Sequence, residues 1–200
     1  MVTCEATVLI VPGLRDHVPE HWQTLLASQL PRVRTVVPMG RGQLDCKARV
    51  DAIEREAASI EGPVVLVAHS GGVIATIHWA CRTQRAVRGA LLATPADFER
   101  PLPDGYPSMA ALGDNGWLPV PRVALQFRSI VAASRNDPLA SYQRVGAFAQ
   151  AWGSRLEDLG EVGHLNPASG FGDWPQAHAL IRELAETGAD RQAEQHRRAS

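Results

Sequence analysis

Ser70 is the residue of this sequence whose surroundings most clearly indicate chemistry. It lies in Ala68-His69-Ser70-Gly71-Gly72, directly after an apolar run and directly before a stretch of helical period. A serine on a sharp turn between a strand and a helix needs small neighbours two positions away on each side, and Ala68 and Gly72 are small. Such a nucleophile elbow presents the serine hydroxyl for attack on a carbonyl carbon. The first small residue is alanine here, where the usual pattern has glycine.

A nucleophilic serine needs a histidine base and an acid that orients it, and after an elbow the acid precedes the histidine in the chain. Asp137 follows a predicted strand, and His164 follows the next one. Asp137 would accept from His164 Nδ1, which leaves Nε2 free to take the Ser70 proton. Asp-Pro is also a common helix start, so an N-cap is an alternative role for Asp137. Other aspartates downstream of the serine include Asp97, Asp104, Asp114, Asp158 and Asp173.

Backbone N–H groups should stabilise the negative charge that develops on the carbonyl oxygen. One donor is expected to be Gly71, which follows the nucleophile, and the other is expected to come from the loop after the first strand. Pro12-Gly13 forms that loop, which makes Leu14 the second predicted donor. The predicted substrate-binding side chains are Arg15, His69, Phe98, Tyr106 and Trp117.

The elements that must position these residues follow an alternating pattern. Six short apolar runs are separated by segments of helical period, which is typical of βα units that build a mostly parallel sheet. The predicted strands are residues 7–11, 34–37, 63–68, 87–93, 127–133 and 155–159. The predicted helices are residues 45–59, 72–82, 139–152 and 175–186, and one more that begins near Pro19 and includes Leu30. We therefore expect an α/β fold, with helices on both faces of a sheet of about six strands.

Residues 94–121 interrupt this alternation, with six prolines and no clear helical or strand period. Loops of this length inside compact domains often act as lids or binding loops. The bulky side chains of this segment could wall a pocket or fill a small core beneath a passive loop; they are Phe98, Tyr106, Met109, Leu112 and Trp117. We predict a single domain over residues 1–187 and a flexible polar tail over residues 188–200.

Composition disfavours several classes of protein. Twenty lysines and arginines balance 21 aspartates and glutamates, unlike the composition of a nucleic-acid or membrane-surface binder. Lys47 is the only lysine and lies outside any phosphate-binding loop motif. Three widely spaced cysteines and the lack of a metal-binding motif indicate neither a disulfide framework nor a metal site. No signal peptide or membrane-spanning run is evident, so we expect a cytoplasmic protein. We also expect that it uses no cofactor and acts on a small molecule.

The sequence resembles the small α/β-hydrolase-fold serine hydrolases grouped with retinoblastoma-binding protein nine and its bacterial relatives. The resemblance spans nearly the whole chain and rests on five segments: Pro-Gly at 12–13 with Pro-Glu-His-Trp-Gln at 19–23, His-Ser at 69–70, Ser-Arg-Asn-Asp-Pro at 134–138, Gly-His-Leu-Asn at 163–166, and Ser-Gly-Phe-Gly-Asp-Trp-Pro at 169–175. It implies an α/β-hydrolase-like three-layer sandwich, a triad of Ser70, Asp137 and His164, no cofactor, and esterase-type activity on small acyl substrates. Residues 101–119 form a longer segment than is expected for this group.

These residues predict a serine hydrolase that cleaves small carboxylic esters through an acyl-enzyme. An amidase or peptidase, or a thioesterase, would use the same three side chains, so both stay open as alternatives. A third alternative is a non-catalytic hydrolase-fold module that binds another protein, because a fold can keep a site without using it. A small acyl molecule is the expected partner, and a protein partner is compatible with the sequence.

Overall fold

The computed structural model describes residues 6–15, 18–40 and 42–186. The predicted tail at residues 188–200 lies outside these residues. In the described part of the chain, no helix combines the length and the apolar character needed to cross a membrane.

Six parallel strands form one sheet, as the alternating pattern predicts. They are β1 (Thr7–Val11), β2 (Val33–Thr35), β3 (Val64–His69), β4 (Gly89–Ala93), β5 (Arg128–Ala133) and β6 (Arg155–Asp158). The order across the sheet is β2-β1-β3-β4-β5-β6, and every neighbouring pair is parallel. Every residue of β3 and β4 is buried, because these central strands are covered on both faces. The edge strands β2 and β6 have no fully buried residue.

Helices cover both faces of the sheet and complete a three-layer α/β sandwich. They are α1 (Trp22–Gln29), α2 (Cys46–Ala58), α3 (Gly71–Ala80), α4 (Met109–Asp114), α5 (Tyr142–Trp152) and α6 (Gln176–Ala185). Successive strand residues point to opposite faces, so Leu66 packs into the core beneath α2, α3 and α5, whereas Val65 and Val67 pack beneath α1 and α6. The fold class predicted from the sequence is therefore confirmed.

The structure differs from the predicted elements where side chains satisfy the backbone. The predicted helix 139–152 begins later, at Tyr142, because Asp137 Oδ1 accepts from Leu139 N at 2.8 Å and Ser141 caps the helix. The capping role considered for Asp137 thus belongs to Ser141. In residues 94–121, where no helix is predicted, Ser108 Oγ accepts from Ala111 N and starts the short helix α4.

Candidate active site

Ser70 occupies a strained turn between β3 and α3. Its backbone lies at φ 56° and ψ −126°, a conformation that a residue with a side chain rarely adopts, and its N–H donates to Ala93 O at 3.0 Å. Gly72 makes the turn possible, because a Cβ there would lie 2.4 Å from the carbonyl oxygen of Pro12. The close approach of α3 to the end of β1 therefore depends on a residue without a side chain.

Ser70, His164 and Asp137 form one continuous chain of hydrogen bonds. His164 Nε2 lies 2.7 Å from Ser70 Oγ, and His164 Nδ1 lies 3.0 and 2.9 Å from the two carboxylate oxygens of Asp137. A carboxylate can only accept, so Nδ1 carries the proton and Nε2 accepts from the serine hydroxyl. The side chains of His164 and Asp137 are 5% and 1% exposed, which shields this chain from water. The structure thus brings together the three residues that the sequence predicts.

Other aspartates considered as the acid have different partners. Asp158 is the last residue of β6, and its two carboxylate oxygens share the N–H of Arg135 Nε, at 3.2 and 2.9 Å. Asp97 follows β4 and is held by Arg144 at 2.8 and 3.0 Å. Asp137 is the aspartate that contacts the histidine ring.

The loop that carries His164 is held by residues that the sequence analysis did not identify as functional. Gly163 N donates to Asn136 Oδ1 at 2.6 Å, and His164 N donates to Ser169 Oγ at 3.0 Å. Gly163 has φ 56°, and a Cβ there would lie 2.4 Å from Ser169 Oγ, so only glycine fits. Ser134 Oγ donates to Asn136 Oδ1 and completes the support. The signal available in the sequence was the motif at 134–138, which the resemblance singled out as a whole.

Leu14 and Gly71, the two predicted oxyanion donors, lie next to each other. A Cβ on Gly71 would lie 2.7 Å from Leu14 Cγ, which shows how closely the two loops approach. Behind them, the buried guanidinium of Arg49 donates to the carbonyl oxygens of Leu14 at 3.3 Å and Gln43 at 3.0 Å. Arg49 therefore holds the loop after β1. Its position on α2 offers no sequence signal for this role, because the contact spans two elements.

His69, predicted to bind substrate, lines the cavity but has a ring nitrogen that is already engaged. His69 Nε2 lies 2.9 Å from the backbone oxygen of His164, which can only accept, so Nε2 donates. The ring is buried against those of His21, Trp22 and His164. Burial, with the neighbouring His164 and His21, lowers the pKa of His69 well below its ordinary value. A neutral His69 thus supports the backbone of His164.

A cavity of about 210 Å³ opens beside Ser70 and His164. Four of the predicted substrate-binding residues line it: Arg15, His69, Phe98 and Tyr106. Trp117 does not line the cavity, which corrects its predicted role. Its side chain is fully buried, packs edge-on against Phe98 and donates from Nε1 to Leu44 O at 2.6 Å. Met109 and Leu112 do not line the cavity either; Leu112 lies in the core.

In the described ranges, no group of three or more histidine, cysteine, aspartate or glutamate side chains could hold a metal ion.

Comparison with known proteins connects this geometry to a family. The family model described as serine hydrolase matches residues 8–183. A crystal structure described as that of a YdeN-like hydrolase from Pectobacterium atrosepticum is 34% identical, with a TM-score of 0.75, and the match covers 90% of this chain and 89% of the other. No curated protein gives a significant match.

More distant solved structures share the fold. The ydeN gene product of Bacillus subtilis is 17% identical, with a TM-score of 0.71, over 90% of this chain and 98% of that one. Est1E from Butyrivibrio proteoclasticus is 12% identical, with a TM-score of 0.65, over 94% and 88% of the two chains. The family model, which matches most of the sequence, and the 34% identical structure lead to one assignment. The chain belongs to the serine hydrolase family.

Proposed function

We propose that this protein hydrolyses small carboxylic esters through an acyl-enzyme intermediate. The observation that carries the proposal is the hydrogen-bond chain Ser70 Oγ, His164 Nε2, His164 Nδ1 and the Asp137 carboxylate, located beside a cavity. Nucleophile and base are within the distance at which a proton can be transferred, and the base is oriented by a third group. Within the family, the sequence motifs favour the group that resembles retinoblastoma-binding protein nine.

In acylation, Ser70 Oγ forms a bond to the carbonyl carbon as its proton passes to His164 Nε2. Asp137 accepts from Nδ1 and stabilises the imidazolium that forms. The tetrahedral intermediate then breaks its bond to the alcohol oxygen, and His164 returns the proton to that leaving group. The alcohol departs and the acyl group remains on Ser70.

In deacylation, water replaces the alcohol. His164 takes a proton from the water, whose oxygen bonds to the acyl carbon, and the bond to Ser70 Oγ then breaks. The proton returns to Ser70, and the carboxylic acid leaves. Backbone N–H groups of Leu14 and Gly71 would donate to the oxyanion in both tetrahedral intermediates. The close approach of these two residues supports that role.

The size of the cavity supports a small substrate. A volume of about 210 Å³ is below that of sites which enclose drug-sized molecules, roughly 300 to 1,000 Å³. Amides and thioesters react through the same groups, so the choice among the three has to be measured. A non-catalytic interaction module is the alternative from another class.

A fluorophosphonate probe tests whether the site reacts. We expect labelling at Ser70, located by mass spectrometry of the digested protein, and no labelling of Ser70→Ala. Absence of labelling in correctly folded protein would instead support the interaction module.

A substrate panel tests the reaction class. p-Nitrophenyl esters of increasing acyl length, thioesters and aminoacyl p-nitroanilides are compared by kcat/KM. Highest kcat/KM for short-chain esters supports the proposal. A clear preference for the anilides or thioesters would replace it with an amidase or a thioesterase, respectively.

A further inference from the structure

Charge is distributed very unevenly over the wall of the active-site cavity. Most of the described residues that line it are apolar, and no aspartate or glutamate is among them. Arg15 is the only lining residue of the described ranges that carries a permanent charge. A permanent cation in a wall without acidic side chains is an attractive site for an anionic group on a bound molecule.

Arg15 is held in place by neutral groups. Its Cζ atom lies 3.8 Å from the centroid of the Tyr106 ring, and Nη2 donates to Gly105 O at 2.7 Å. Stacking on an aromatic ring fixes the guanidinium plane while leaving most of its N–H donors available. Because this long side chain is already ordered, binding of a ligand loses less conformational entropy.

Within the described residues, Arg15 differs from the arginines that are paired with a carboxylate. Arg144 is paired with Asp97 and Glu99, and Arg155 is paired with Glu157 and Glu183. Across the described residues, no acidic side chain forms an ion pair with Arg15. A planar guanidinium of this kind matches the two oxygens of a carboxylate.

We propose that the substrate is an ester that also carries a free carboxylate, and that Arg15 binds this carboxylate while Ser70 attacks the ester carbonyl. The inference rests on the proposed ester hydrolysis and names its substrate class. Because the cavity is small, only a few bonds can separate the carboxylate from the scissile carbonyl. Half-esters of short dicarboxylic acids, and short acyl esters of hydroxy acids, have this arrangement.

Isosteric ester pairs test the inference on both sides of the scissile bond. Ethyl hydrogen glutarate is compared with ethyl glutaramate, in which an amide replaces the carboxylate, and butyryl glycolate is compared with butyryl glycolamide. Ester cleavage is followed by released ethanol for the first pair and by acid release at constant pH for the second. We expect kcat/KM to favour the carboxylate by about tenfold in at least one pair. The preference should shrink as ionic strength rises, because the group is near the surface.

Variants assign the preference to Arg15. Arg15→Gln should bring the ratio of kcat/KM within the pair to about one, Arg15→Lys should keep part of it, and Arg15→Glu should bring it below one. Arg182→Gln, which removes an exposed charge of α6, is the matched control and should keep the native ratio. The inference is overturned if the native protein cleaves the ester bond of ethyl glutaramate and butyryl glycolamide as efficiently as that of their carboxylate partners. Ester hydrolysis itself would still stand in that case.

A binding measurement separates this inference from catalysis. Ser70→Ala is titrated calorimetrically with glutarate and with glutaramide, its diamide without a carboxylate, and the titration is repeated with Arg15→Gln added. Binding of glutarate that weakens by about tenfold on loss of Arg15 supports the carboxylate site even if no ester is cleaved. Equal affinity with and without Arg15, or no binding of glutarate, contradicts it.

Discussion

Asp137 and Asp158 show how neighbouring groups give two similar residues different roles. Both lie at or just after the carboxyl end of a strand, and both are carboxylates with good hydrogen-bond donors. Asp137 accepts from His164 Nδ1 and from Leu139 N, whereas Asp158 accepts from the guanidinium of Arg135. Only Asp137 can therefore fix the tautomer of the histidine that accepts the Ser70 proton.

Exchange of single aspartates tests this difference. Asp137→Asn should lower kcat by about 10⁴-fold, because an amide can donate to Nδ1 and then stabilises the wrong histidine tautomer. Asp158→Asn is the matched control and should change kcat little, since its partner Arg135 lies at the surface. Ester hydrolysis by both variants is measured at saturating substrate. A nearly unchanged Asp137→Asn together with an inactive Asp158→Asn would show that the acid is misassigned.

His69 links stability to pH. Its pKa in the folded protein is well below the ordinary value, mainly because of burial. As the pH falls below about 6.5, the unfolded chain therefore takes up this proton before the folded protein does. The contribution of neutral, buried His69 to stability is complete above about pH 6.5. It is lost as the pH falls toward the pKa of His69 in the folded protein. His78 has the same sign, since burial also lowers its pKa.

Chemical denaturation between pH 7 and 5 measures this effect. One histidine can lower the folding equilibrium constant by up to about tenfold per pH unit. His69→Gln keeps an N–H that can donate to the His164 carbonyl but does not titrate, so its stability should fall less over this range. His178→Gln, at a surface contact with Gln29, is the control and should reproduce the native slope. An identical slope in His69→Gln would refute the assignment.

At the scale of elements, residues 94–121 combine both roles that the sequence leaves open. Tyr106 lines the cavity and supports Arg15, whereas Trp117 is anchored in the core by Leu44 and by His78, whose Nε2 lies 3.1 Å from Trp117 O. Phe98 belongs to both sets, since it lines the cavity and packs on Trp117. The segment therefore contributes Phe98 and Tyr106 to the lining of the cavity, and Trp117 anchors it in the core. That the segment acts as a lid stays a prediction.

Two truncations in this segment should affect different properties, substrate ranking for one variant and stability for the other. Tyr106→Ala should change the ranking of acyl chain lengths, by roughly 10- to 200-fold between neighbours, with a modest change in Tm. Trp117→Ala should cost about 3 to 5 kcal/mol in stability, because it removes a fully buried side chain. Acyl-length profiles and denaturation curves are measured on both variants. An unchanged profile for Tyr106→Ala would exclude it from the substrate wall.

At the scale of the whole molecule, the parallel sheet assembles the site. All six strands end at the same edge, so Gly13, Ser70, Asp137 and His164 meet there although the chain separates them widely. β1 and β3 are neighbours whose connections lead to opposite sides of the sheet, and such a switch point opens a crevice. Arg144 of α5 joins this frame to the segment after β4 through Asp97.

Loss of that connection should destabilise the protein. Arg144→Met leaves the Asp97 carboxylate, whose side chain is 3% exposed, without its charged partner, and we expect a loss of about 3 kcal/mol. Lys47→Met breaks an exposed ion pair with Asp51 and should cost about 0.5 kcal/mol or less. Urea denaturation compares the two. Equal small losses would mean that the Arg144 contact contributes no more than a surface pair.

Much of this fold follows from local signals in the sequence. Among the described residues, apolar runs and helical periods predict all six strands and five of the six α-helices, with ends displaced by at most three residues, as where the Ser141 cap starts α5 at Tyr142. The elbow is also local, because the small residues around Ser70 are needed for its strained turn. The short helix α4 was missed, since the prolines around it hide the signal of its Ser108 cap.

The sequence by itself therefore determined the kind of fold, the strained turn that presents Ser70 as the candidate nucleophile, and the strand ends where its partners lie. Tertiary structure decided which aspartate meets His164, that Trp117 supports the cavity from the core, and that Arg49 and Asn136 hold the loops. The physical reason is the separation along the chain over which each interaction acts. Periodicity and turn preferences act over a few residues, whereas the bond from Ser70 to His164 joins positions 94 residues apart. Such a contact depends on the order of strands in the sheet, which no local pattern encodes.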